Sequence, residues 1–197
     1  MDESAIVPAR RGPAPSLRIE DIVAAALRLL DRDGAQRFTM RALAAELGVS
    51  AMTVYNYVPT KALLLEKAID SVIDTVPPPD PDARPWDEEL RRYAREAWRA
   101  QLPHPWIPPL LAEQRIMDRP AQVAARRELL GLFRAAGADD VAAREGVGLF
   151  FSLVIGSFVQ MAPTLRAGRP TARAEALFEG GLEIVIAGLR SRFQPDM

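Results

Sequence analysis

The sequence predicts an all-α protein, and three observations carry that reading. Apolar residues recur at intervals of three and four along most of the 197-residue chain. Thr, Ser and Asp stand where helices would begin, and glycine or proline stands where they would end. No stretch reads convincingly as a strand.

Residues 1–16 hold Pro8, Pro13 and Pro15 with Arg10, Arg11 and Gly12, and read as a flexible arm. Such an arm is either an inert terminus or a basic extension able to reach a DNA minor groove. Residues 19–30 form an amphipathic helix with the stripe Ile22, Val23, Ala26, Leu27 and Leu30, ended by Asp33-Gly34. Phe38 is a hydrophobic anchor before Thr39, an N-cap. Leu43, Ala44 and Leu47 follow at helical spacing, Gly48 ends that helix and Val49 plugs the corner. Ser50 caps a second short helix through about Tyr55, Pro59 stops it, and Thr60 caps a third helix from Lys61.

Residues 61–76 are apolar over so much of their surface that this helix is expected to link two bodies. The proline-rich run 77–81 stops it. A helix over 86–102 follows, with Leu90, Tyr93, Ala94, Ala97 and Trp98 on one face, and Pro103-His104-Pro105 breaks it. A short helix over 106–113 is started by prolines and is extendable over 114–117. Pro120 opens another to about 136, with Val123, Leu129, Leu130 and Phe133 inward. Gly137 ends that one and Asp139 caps the next. Residues 146–165 carry no charge, long enough to span a membrane. Three glycines, Ser152, Ser157, Gln160, Pro163 and the lack of a second such segment favour a helix buried in a core or an oligomer interface. Residues 166–173 form a polar loop, and 174–193 a last helix with Leu177, Phe178, Leu182, Val185, Ile186 and Leu189 inward.

Composition narrows the function. There is no cysteine, hence no disulfide frame and no thiolate zinc site. The N-terminus lacks the apolar core of a secretory signal, so a cytoplasmic location is expected. No nucleophile–base pair, phosphate loop or spaced carboxylate pair stands out, so an enzyme is not expected. Net charge is −1, but residues 10–61 hold eight basic against five acidic residues, a mild local excess.

Helix, glycine turn, helix is the plan that places its second helix in a DNA major groove. In that helix Ala51, Met52, Thr53, Tyr55, Asn56 and Tyr57 are small, polar or aromatic and none is charged. Thr and Asn suit base edges, and hydroxyls suit phosphates. The alternative is a helical interaction or small-molecule-binding protein whose corner never meets DNA.

Thr39, Leu43, Ala44, Leu47, Gly48, Val49, Ser50, Thr53, Tyr55, Lys61 and Leu64 stand as in the TetR family of bacterial transcriptional regulators, which the chain resembles over about residues 17–65. The C-terminal part is similar, more loosely, to the tetracycline-repressor branch. The resemblance implies a flexible arm at 1–16, a helix-turn-helix domain at 17–62 and a helical ligand-binding and dimerisation domain at 63–197. It implies a homodimer, through helices around 146–162 and 174–193, on double-stranded palindromic operator DNA. Its DNA contacts would be Arg41, Ala51, Met52, Thr53, Tyr55, Asn56, Tyr57 and Lys61. Arg41 would meet a base edge or phosphate, and Lys61 a phosphate at a helix start. Tyr57 stands where the family usually has His, and Ala51 and Met52 replace frequent base readers, so no relative's operator transfers.

The resemblance also implies release of DNA by a small apolar or amphipathic effector. Its pocket would draw on Tyr93, Ala97, Trp98, Leu102, His104, Ile107, Leu111, Phe133, Phe151 and Ile155. His104 is the one histidine and has no nearby acid cluster, so neither metal nor cofactor is expected.

Overall fold

The computed structural model describes residues 17–107, 110, 120–169 and 171–193. Among these, all regular structure is helical. The helices are α1 (Ile19–Asp33), α2 (Met40–Glu46), α3 (Ala51–Tyr57), α4 (Lys61–Ile73), α5 (Trp86–Gln101), α6 (Pro120–Ala135), α7 (Asp140–Arg166) and α8 (Ala172–Phe193). The expected arm at 1–16, most of the proline-started helix after Trp106 and its extension at 114–117 lie outside the described residues.

Local chemistry sets the helix starts. The hydroxyls of Thr39, Ser50 and Thr60 accept the amides of Ala42, Thr53 and Leu63, each at 3.1 Å. Each such cap contributes about 1 kcal/mol by satisfying an otherwise unpaired donor. Asp139 does the same for α7, accepting from Val141 and Ala142. At the corner Gly48 has φ +67°. Its amide reaches Ala45 O, and the Val49 amide reaches Ala44 O at 3.0 Å. Only glycine takes this conformation without cost, so the chain turns sharply there.

Packing divides the side chains into two apolar clusters. The head cluster joins Ile22, Leu30, Phe38, Leu43, Val54, Leu64 and Ile69 from α1 to α4 and the loop before α2. The helix expected to link two bodies, α4, buries Leu64, Leu65, Ala68, Ile69 and Val72 in this cluster. Trp106 and Ile107, far along the chain, are buried in it too.

The body cluster is built by α5 to α8 around Leu90, Trp98, Leu129, Phe150, Phe178 and Ile186. Trp86, Phe133 and Phe193 pack ring against ring at one end, with centroids 5.2–5.9 Å apart. Helices α7 and α8 approach closely at Gly146, where a Cβ would come within 2.9 Å of Leu189 Cδ2. A charged seam joins α5 to α8. Arg91 pairs with Glu183 and Arg95 with Glu179, each at 2.7 Å, and Asp87 pairs with Arg190.

Two inward expectations are corrected. Val123 is 52% exposed, whereas Leu129 and Phe133 are fully buried. Val123 lies six residues before Leu129, about 240° around the helix, and so faces away from the core. Leu177 is 67% exposed beside the buried Phe178.

Candidate nucleic-acid interface and small-molecule site

Helix α3 is anchored by one fully buried side chain, Val54, with Val58 closing the turn behind it. This leaves the rest of the helix to face outward. Met52 is 69% exposed and Tyr55 and Tyr57 are 43% exposed each, an unusual display of large apolar surface on a seven-residue helix. Asn56 lies exposed between the tyrosines, and Arg41 is exposed on α2. Ala51 and Thr53 are half-buried. Thr53 Oγ1 lies 2.8 Å from the Ser50 hydroxyl, so its position is fixed by the same residue that caps the helix. The surface holds hydrogen-bonding tips, an amide and a cation on a rigid corner, the chemistry that base edges and phosphates require.

Lys61 is arranged differently from the phosphate contact expected of it. Its Nζ donates to Phe38 O at 2.6 Å and to Ala35 O at 3.3 Å, and lies 5.5 Å from the Phe38 ring centroid. In this structure the ammonium ties the loop before α2 to the start of α4.

The residues expected to line one pocket fall into separate places. Trp98 is stacked between Phe158 and Phe178, with centroids 4.6 and 4.3 Å away. Tyr93 stacks on Phe150, and burial pushes its hydroxyl up to about 12, so it stays protonated at neutral pH. Phe151 is buried in the body core, and Leu102 and Ile155 pack against it. Ala97 is half-buried on α5. Phe133 belongs to the aromatic end with Trp86 and Phe193. Ile107 is fully buried in the head cluster, not the body. His104 Nδ1 lies 2.7 Å from Asp31 Oδ1, at the joint between head and body. Leu111 lies outside the described residues. The physical reason for the split is the break at 103–105, which turns the chain from the body back onto α1.

Sequence reading missed other polar groups. Trp98 Nε1, Gln101 Oε1 and Gln122 Oε1 are buried without a hydrogen-bond partner among the described residues. Gln101 directs its amide N–H to Ala97 O at 3.3 Å, which leaves its oxygen free. Glutamine on an apolar helix face was the available signal. Also missed was a cleft of about 670 Å³ between the end of α7 and the start of α8. Leu153, Met161, Leu177 and Phe178 give it apolar walls, and Ser157, Gln160, Thr164, Arg169 and Arg173 give it polar ones. A second crevice, of about 710 Å³, separates the end of α1 and the loop after it, residues 30–37, from Pro105, Trp106, Leu165 and Arg166.

These features define a class: a helix-turn-helix head on a larger helical body. The pattern of bacterial regulatory proteins of the tetR family matches residues 22–68. The HTH-type transcriptional repressor DrrR1 of Streptomyces coeruleorubidus is 30% identical over 169 residues, 85% of this chain and 62% of the relative. The chain thus spans about three fifths of that relative's length. Streptomyces coelicolor ActR, solved in complex with actinorhodin, has 25% identity and a TM-score of 0.76, covering 90% of this chain and 97% of that one. BioQ with its double-stranded DNA operator has 26% identity and a TM-score of 0.72, covering 89% of this chain and 99% of that one. The tetR-family pattern thus covers the head, and about nine tenths of the chain shares the fold of the ActR and BioQ structures.

Proposed function

We propose that this protein is a dimeric, effector-controlled transcriptional repressor. The observation that carries the reading is the outer face of α3, where Met52, Tyr55, Asn56 and Tyr57 project from a helix held by Val54. Helix α3 enters the major groove; Tyr55, Tyr57 and Arg41 position it on phosphates, while Met52, Thr53 and Asn56 meet base edges. A relative named as a repressor, one structure with operator DNA and one with a bound small molecule support the reading. The site of action would be the cytoplasm, where the DNA is.

The second copy is argued from α7 and α8. Helix α7 is long and apolar enough to cross a membrane by length and composition, and only 44% of its most apolar window is buried. Exposed Leu149 and Val159 on α7, with Leu177 and Ile184 on α8, form an uncovered apolar face. Open glycines, Gly148 and Gly156 on α7 and Gly180 and Gly188 on α8, allow a partner's helices close approach. A symmetric four-helix seam covers this surface and sets two α3 helices to read a palindrome.

The test is a footprint on the DNA upstream of the protein's own gene. Two protected half-sites, centred about one helical turn or a multiple apart, are expected. A single site, or protection without symmetry, contradicts a dimeric operator.

A further inference from the structure

We propose that the cleft between α7 and α8 binds an amphipathic carboxylate: a flat apolar body carrying one anionic group. This rests on the regulatory reading, because the occupant is taken to be the effector. The cleft's volume, about 670 Å³, is that of a site for a drug-sized ligand. Its inner wall is Phe178, held rigid by stacking on Trp98, which Phe158 holds in turn. A wall already fixed in place loses little entropy on binding a planar molecule.

The charge of the cleft selects an acid. Arg169 and Arg173 line the cleft, and neither has a carboxylate partner among the described residues. The arginines of the α5–α8 seam, Arg91, Arg95 and Arg190, are all paired. Among the described residues no Asp or Glu lines the cleft, so none of them repels an anion there. Two guanidinium groups at the rim of an apolar slot suit a carboxylate, whose oxygens accept their planar forks. Gln160, Ser157 and Thr164 add polar groups that orient the occupant.

The location couples the cleft to the head. Thr164 lines the cleft, while the next two residues, Leu165 and Arg166, line the crevice against the head loop with Lys61. An occupant that shifts the last turn of α7 therefore acts on both surfaces. Leu177, which belongs to the cleft and to the uncovered apolar face, places the opening beside the proposed dimer seam.

The experiment compares anthraquinone-2-carboxylate with its neutral carboxamide by calorimetry on the full chain. The carboxylate is expected to bind about tenfold more tightly, the worth of one good charge-assisted contact, and to lose that advantage as salt rises. The double variant Arg169→Gln/Arg173→Gln is expected to bind both alike, with an unchanged melting temperature. Equal binding of both probes by the wild type, no binding of either, or a preference that survives in the double variant overturns the proposal. Binding of upstream DNA is measured on the same samples. If DNA binds but the carboxylate shows no preference, the cleft proposal alone fails. If the carboxylate binds through the arginines but no DNA binds, the regulatory reading alone fails.

Discussion

The indole N–H of Trp106 donates to Asp31 Oδ1 at 2.7 Å, and so pins the segment after α5 to the last turn of α1. The same oxygen meets His104 Nδ1 at 2.7 Å. One carboxylate thus joins the head to the chain returning from the body. Trp106→Phe removes the donor and also trims the buried ring system. It should lower the unfolding free energy in urea by about 2–4 kcal/mol, the lost hydrogen bond to a charged group plus the lost packing. Unchanged stability would show that the contact is incidental.

Gln101 carries the opposite expectation. Its buried oxygen has no partner among the described residues, and an unsatisfied polar atom costs about 1–3 kcal/mol. Gln101→Met keeps the length and drops the polar group, so the free protein should become more stable by about 1 kcal/mol. For a chain of this size the melting temperature rises by about 2–4 °C. A fall would mean that the glutamine amide holds α5 together through Ala97.

Asp87 governs the acid limit of the body. Burial opposes its charge, but hydrogen bonds from Arg91 and Arg190 outweigh burial and hold its carboxyl below the ordinary aspartate range. Glu183 and Glu179 are lowered too, through their bonds to Arg91 and Arg95. A depressed carboxylate contributes its full stability above the unfolded pKa, about 4, and loses it as pH falls through the folded value. Thermal unfolding should therefore hold steady near neutrality and fall steeply below about pH 4. Asp87→Asn should cost about 2 kcal/mol at pH 7 and flatten that acid slope.

The proposed dimer seam is testable at Ile184, which is 75% exposed in the single chain. Ile184→Glu leaves the monomer's core untouched, so its circular dichroism should match the wild type. Sedimentation should show a dimer for the wild type and a monomer for the variant. A wild-type monomer, or a variant that still dimerises, places the interface elsewhere.

How much of this was legible in the residues depends on sequence distance. The caps at Thr39, Ser50 and Thr60 and the turn at Gly48 are decided within four residues, and each stands where the pattern put it. Trp98, Tyr93 and Phe151 were read as inward, and they are buried. Whether a buried ring lines a pocket or fills a core depends on partners dozens of residues away. So His104 and Ile107, read as pocket residues, pack at the head instead. Lys61 shows the same limit: its position at a helix start was plain, but its bond to Phe38 O spans 23 residues. The cleft at Arg169 and Arg173 was hidden because part of it lay in what reads as a plain polar loop.

The central claim is that α3 reads DNA, and fluorescence anisotropy with the DNA upstream of the gene tests it most directly. Wild-type binding is compared with Tyr55→Ala and Asn56→Ala at several salt concentrations. Both side chains are exposed, so both variants should keep the wild-type melting temperature. Wild-type affinity should fall steeply with salt, because phosphate contacts release counterions. Tyr55→Ala should weaken binding to any sequence, whereas Asn56→Ala should cost about 1–3 kcal/mol on the operator and little elsewhere. Absent binding, binding indifferent to salt, or full affinity in both variants would contradict the account.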